Sequence, residues 1–130
     1  MSCLFDSLTH LLREEFDKFH DDVTLRQIVC EYIEERPNDK LNGCKLSEWI
    51  KIINENEFNN IKDYADRMRN DSEWGGAPEM SIVSKLFKVE IHVIHKRKVI
   101  SKFKCCKNPH SILVLLWDGS HYEPKKRISK

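Results

Sequence analysis

The chain has 130 residues, a length that suits one domain, over 1–130, able to bury roughly two thirds of its unfolded surface without staples. Its 22 lysines and arginines nearly balance 21 aspartates and glutamates, which excludes a global field that would recruit nucleic acid or an anionic membrane. Function therefore has to come from a local site. Five cysteines form an odd set with no paired spacing, and acidic residues stand as early as Asp6 and Glu14. These features argue against a secreted, disulfide-framed protein and for a cytoplasmic or nuclear one. The longest apolar run, 112–117, is far shorter than the roughly 20 residues a membrane helix needs.

Leu4, Phe5, Leu8, Leu11, Leu12 and Phe16 recur at helical spacing, so a first helix is expected from about Cys3 to near His20. Thr24-Leu25-Arg26-Gln27 has the form of a capping box, and a second helix with a face of Leu25, Ile28, Val29, Tyr32 and Ile33 should follow and end at Pro37. Leu46, Trp49, Ile50 and Ile53 make a third helical stripe. A fourth runs through Phe58, Ile61, Tyr64, Ala65 and Met68 after an asparagine-rich break. Trp74-Gly75-Gly76-Ala77-Pro78-Glu79 punctuates the chain, and Pro78 suits the first turn of a short helix through Ile82, Val83, Leu86 and Phe87.

From Lys88 the period changes to two. Val89, Ile91 and Val93 alternate with their neighbours, and Lys96-Arg97-Lys98 makes a charged turn into a partner strand ending at Phe103. The run over 112–117 is apolar throughout, as expected of a strand covered on both faces. Asp118-Gly119 is a turn dipeptide that sends Ser120-His121-Tyr122-Glu123 back as a return strand. Helices followed by an antiparallel sheet give an α+β fold class, with a short basic tail from about 124.

Two residues stand out for chemistry. Cys3 opens the first helix, where unpaired backbone N–H groups favour a thiolate over a thiol; the alternative is a small buried cysteine that fills space. His121 follows a buried strand at the sheet rim. A thiol nucleophile and its imidazole base meet in the fold and not along the chain, so their separation is no objection.

Three blocks together resemble the ovarian tumour (OTU) family of papain-like cysteine proteases, which cleave isopeptide bonds of ubiquitin. Cys3-Leu4-Phe5 with Leu8 resembles the nucleophile block, which usually follows Asp-Gly-Asn. Trp74-Gly75-Gly76 with Glu79 resembles the Trp-Gly block, and His121-Tyr122 after an apolar strand resembles the histidine block. The resemblance runs from Cys3 to Glu123. It implies a papain-like OTU fold with helices packed on a small, mostly antiparallel sheet. It also implies Cys3 as nucleophile, His121 as general base and acid, and an oxyanion hole from the backbone N–H groups of Ser2 and Cys3, with no metal or organic cofactor.

Glu123 lies two residues beyond His121 on the same strand face, so it is either the orienter of the imidazole or a surface residue; the family commonly has Asp or Asn there. Asp118 is a poorer candidate because its natural role is the turn. The implied partners are ubiquitin, polyubiquitin chains or ubiquitin-like modifiers, with no nucleic acid or membrane, and a monomer is expected. Met1 and Ser2 fill the last two places of the Asp-Gly-Asn run, and they are expected to fray. Two readings stay open: an active thiol-dependent deubiquitinase, or a catalytically impaired module that binds ubiquitin without cutting it.

Cys105, Cys106, His110 and His95 raise the question of zinc, but adjacent cysteines lack the spacer that wraps a tetrahedral ion, so no metal is expected. The basic tail of Lys125, Lys126, Arg127 and Lys130 lacks an aromatic stripe and reads as solubilising. His92 is expected to be an exposed strand residue, and Cys30 to be inert.

Overall fold

The structure is a computed structural model that describes residues 3–16, 21–41, 43–54, 60–70 and 73–125, without the side chain of Cys3. Its elements in chain order are α1 (Cys3–Glu15), α2 (Asp22–Glu35), β1 (Lys40–Leu41), β2 (Cys44–Lys45), α3 (Leu46–Ile53), α4 (Ile61–Met68), α5 (Ala77–Phe87), β3 (Val89–His95), β4 (Lys98–Phe103), β5 (Ser111–Trp117) and β6 (Tyr122–Pro124). The α+β class is thus observed. None of the described helices is long and apolar enough to cross a membrane.

The apolar stripe of α1 is the spine of the core. Leu4, Phe5, Leu8, Leu11 and Leu12 are all at most 4% exposed. Full burial of such a side chain contributes about 1.5–3 kcal/mol, so the start of α1 is held as firmly as its middle. The helix ends at Glu15, earlier than the sequence pattern implies; His20 lies outside the described residues. The cap of α2 is Asp21 and not Thr24. The Asp21 carboxylate accepts from the Thr24 N–H at 2.9 Å, which places Thr24 inside the first turn and rules out the expected capping box.

Ile28 is half-buried, and Arg26 takes a place in the core beside Leu25 and Val29. Pro37 stands just beyond the end of α2, as read from the sequence. Of the fourth stripe, Ile61, Tyr64, Ala65 and Met68 form α4, while Phe58 lies outside the described residues.

The main sheet has the order β4-β3-β5-β6. β3 and β4 form the expected hairpin, and Lys96 and Arg97 both take positive φ (51° and 67°) in its two-residue turn. β5 returns on the other side of β3 and runs parallel to it, in a register that sets Ile91 beside Leu113 and Val93 beside Leu115. β6 then pairs antiparallel with β5. The parallel pair is one of three, so the sheet is mostly antiparallel.

Side chains at Val89, Ile91, Val93, Leu113 and Leu115 face the helices and are at most 2% exposed. The other face of β5 is not covered by the described residues. Ile112 is 52% and Leu116 37% exposed, which corrects the reading of a strand buried on both sides. α1 packs on β5 and β6 and α5 on β3. Ser84 of α5 anchors the sheet from below, its Oγ lying 2.6 Å from the Val89 carbonyl and 3.2 Å from that of Phe103.

Candidate active site

Helix α1 and strand β6 bring the two singled-out residues to one end of the sheet. Ser7 is 3% exposed, and its Oγ donates to the Tyr122 carbonyl at 3.1 Å. Cys3 precedes Ser7 by four residues, one helical turn, so the two positions share a face of α1. That face meets β6 immediately after His121. Ser2, expected to supply an oxyanion donor, lies outside the described residues.

The turn before β6 positions the main chain of His121. Asp118 Oδ1 accepts from the N–H groups of Ser120 at 2.8 Å and His121 at 2.7 Å, which holds its carboxyl below the usual carboxylate range. Gly119 takes φ of +104°, a conformation that a side chain would strain. Asp118 thus shapes the turn, as read from the sequence.

Loop 73–76 touches both halves of the site. The Trp74 ring, 63% exposed, lies 5.8 Å from the His121 ring between centroids, tilted by 49°. Gly75 presses on the residues that directly follow Cys3. A Cβ at this position would fall 2.8 Å from Leu4 Cδ2 and 3.1 Å from Phe5 Cε2, so a side chain there would have to displace both. A cavity of about 220 Å³ opens beside the loop, lined by Tyr64, Met68, Glu73, Trp74, Pro78 and Glu79, among others.

Glu123 lies in β6, two residues after His121. It pairs with Leu116, so it stands on the sheet face turned away from the helices. It makes no hydrogen bond or ion pair among the described residues.

Cys30 is fully buried, and burial pushes its thiol up to about 12, which leaves it inert. Cys105 and Cys106 adjoin each other with their sulfurs 2.8 Å apart, and burial pushes the Cys105 thiol up to about 11. His110 packs edge-on against Phe16, and His95 Nδ1 lies 2.8 Å from the Trp117 carbonyl. His92 is a correction: its side chain is 17% exposed and pairs with Glu90, where an exposed residue was expected. Of the basic tail, only Lys125 lies among the described residues.

Two buried charged groups were missed as such. Arg26 lies over the Phe5 ring at 4.4 Å. Glu79 is 1% exposed, and its carboxylate accepts from the Gly76 N–H at 2.6 Å and the Tyr64 O–H at 2.7 Å. The sequence signal for Glu79 was its place three residues after Gly76 at a helix start, the reciprocal half of a capping box. Arg26 gave none, since its acceptors are backbone carbonyls more than 40 residues away.

Burial pushes the Glu79 carboxyl up to about 7 from its ordinary 4.5, against the pull of the Tyr64 and Gly76 bonds and of Arg26. Cys30, also facing it from α2, is neutral. The native state therefore holds this proton more tightly than the unfolded chain does. Stability from this group is full below about 4.5, falls as pH rises toward 7, and is level above. Glu79→Gln removes the ionisation. Between pH 4 and 8 the unfolding free energy of Glu79→Gln, relative to the unsubstituted chain, should rise by on the order of 3 kcal/mol in urea titrations. A difference that stays flat with pH contradicts this.

A thiol at a helix start, an imidazole at a sheet rim and one loop touching both sides is a layout suited to thiol-dependent acyl transfer. A sequence model of the OTU family, described as "OTU-like cysteine protease", matches residues 2–122. The chain belongs to this family.

It is 40% identical over 67 residues to "Ubiquitin thioesterase OTU1" of Mus musculus, a match covering 51% of this chain and 20% of that protein. It is 31% identical over 127 residues to "Ubiquitin thioesterase Otu1" of Drosophila melanogaster, covering 95% of this chain and 32% of that protein. The chain thus spans no more than about a third of the length of either relative. Among solved structures, an ovarian tumour domain in complex with ubiquitin superposes with a TM-score of 0.65 at 24% identity, over 92% of this chain and 63% of that one. An OTU deubiquitinase from Wolbachia pipientis wMel gives 0.65 at 21% identity, over 94% and 80%. These likenesses establish the fold.

Proposed function

We propose that the chain is a thiol-dependent deubiquitinase module acting on bonds at the C-terminus of ubiquitin. The Cys3 thiolate attacks the carbonyl carbon of the terminal glycine. His121 takes the thiol proton and returns it to the departing lysine amine. A water molecule, deprotonated by His121, then attacks the thioester and releases free ubiquitin and Cys3. The backbone N–H groups of Ser2 and Cys3 serve the oxyanion, a contribution often worth about 10²–10³ in rate for each donor. No metal or organic cofactor enters the reaction.

The observation that carries this reading is loop 73–76. It rests Trp74 on His121 and Gly75 on the two residues following Cys3, so one segment contacts both the proposed base and the proposed nucleophile helix. The likeness to ubiquitin thioesterases and the ubiquitin complex of one structural neighbour support ubiquitin as the acyl group. Glu123 would orient the imidazole at most, since it moves no proton in the reaction.

The test is turnover of ubiquitin carrying a fluorescent C-terminal amide. Release of the fluorophore that survives EDTA and stops on thiol alkylation is the expected result. Release abolished by EDTA would overturn it. Saturable ubiquitin binding without release would identify a binding module in place of an enzyme.

A further inference from the structure

Loop 73–76 is tied at both ends by buried charged side chains that the proposed chemistry does not use. At its start, Arg26 donates from Nη1 to the Met68 carbonyl at 2.6 Å and from Nη2 to the Glu73 carbonyl at 3.0 Å. At its end, the Glu79 carboxylate receives the Gly76 N–H and the Tyr64 O–H. Between the two ties, Trp74 meets His121 and Gly75 meets Leu4 and Phe5.

We propose that Glu79 is a positioning residue for the Cys3 and His121 pair, acting through loop 73–76. The inference rests on the reading of those two residues as nucleophile and base. Helix capping alone does not account for Glu79. A capping carboxylate at a helix start is satisfied on an exposed surface, where it keeps its hydration. Here the carboxyl is 1% exposed, and its second oxygen reaches across to α4, so it joins α4, α5 and the loop at a single point. Such an arrangement costs desolvation and yields geometry: it leaves the Gly76 backbone one position relative to α5, and with it the Trp74 ring one position relative to His121. Displacement of a catalytic group by about 1 Å is enough to cost on the order of a hundredfold in rate, so a loosened loop is felt at the reaction.

The experiment pairs a spectroscopic readout with a kinetic one on the 130-residue chain. The His121 Hε1 resonance reports the Trp74 ring current, and that of His110, packed on Phe16 away from the loop, is the internal control. In Glu79→Ala the His121 signal should move toward that of a free imidazole while His110 stays in place. Labelling by a ubiquitin C-terminal electrophile should slow by at least about tenfold. Glu79→Gln keeps an acceptor for Gly76 and a partner for Tyr64, and should restore the signal and bring the rate to within about threefold.

If Glu79→Ala does not fold, Tyr64→Phe, which deletes one of the two donors, should move the His121 signal in the same direction. An unmoved His121 signal in a folded Glu79→Ala or Tyr64→Phe chain overturns the proposal, whatever happens to the rate. A wild-type chain that is not labelled at all would sink the enzymatic reading instead, and the His121 signal would still decide the role of Glu79.

Discussion

His121→Ala is expected to lower kcat/KM on ubiquitin C-terminal amides by about 10²–10⁴, the range a positioned general acid and base supplies. The fold should survive, because His121 is exposed and its turn is held by main-chain bonds to Asp118 that do not involve the imidazole. The loss should appear mainly in kcat, since the imidazole moves protons in the transition state and contributes little to holding ubiquitin. Glu123→Gln should cost less than about tenfold. Glutamate could only orient and stabilise the imidazolium, whereas His121 moves protons in the transition state. Equal losses in the two variants would show that the glutamate reaches His121 when ubiquitin is bound.

Cys3→Ala is expected to reduce turnover to the uncatalysed background, a larger effect still, because no other described cysteine lies on the α1 face that meets β6 beside His121. Burial pushes the Cys30 thiol up to about 12 and the Cys105 thiol up to about 11, so neither supplies thiolate near neutral pH. The substituted chain should keep its melting temperature and its affinity for ubiquitin. Residual turnover that tracks enzyme concentration would mean that the nucleophile lies elsewhere.

Legibility of the sequence followed the range of the interactions. The α1 stripe and the charged β3–β4 turn were readable because their partners lie within a few residues, where period and turn chemistry act. The β1–β2 hairpin carried a strong signal that the sequence reading passed over. Asn42-Gly43 between Leu41 and Cys44 is a preferred hairpin dipeptide, and Gly43 takes φ of +80°.

The parallel pairing of β5 with β3 left no trace, since an apolar run of six residues reads alike whether one face or both are covered. Asp21 displaced Thr24 as the α2 cap because either side chain can cap a helix, and only the surrounding packing decides which. Within the site, the positions of Cys3 and His121 could be read from local pattern. What links them could not: Ser7 to Tyr122, Arg26 to Glu73 and Trp74 to His121 join residues some 45 to 115 positions apart.

The most direct measurement of the central claim is peptide mapping of the adduct formed with an electrophilic ubiquitin probe. A nucleophile must be both thiolate-prone and within reach of the base, and of the five cysteines only Cys3 opens a helix on the face that meets β6 beside His121. The account predicts one adduct per chain, on Cys3, at a rate that falls on His121→Ala. An adduct on Cys30, Cys44, Cys105 or Cys106 with Cys3 unmodified would contradict it.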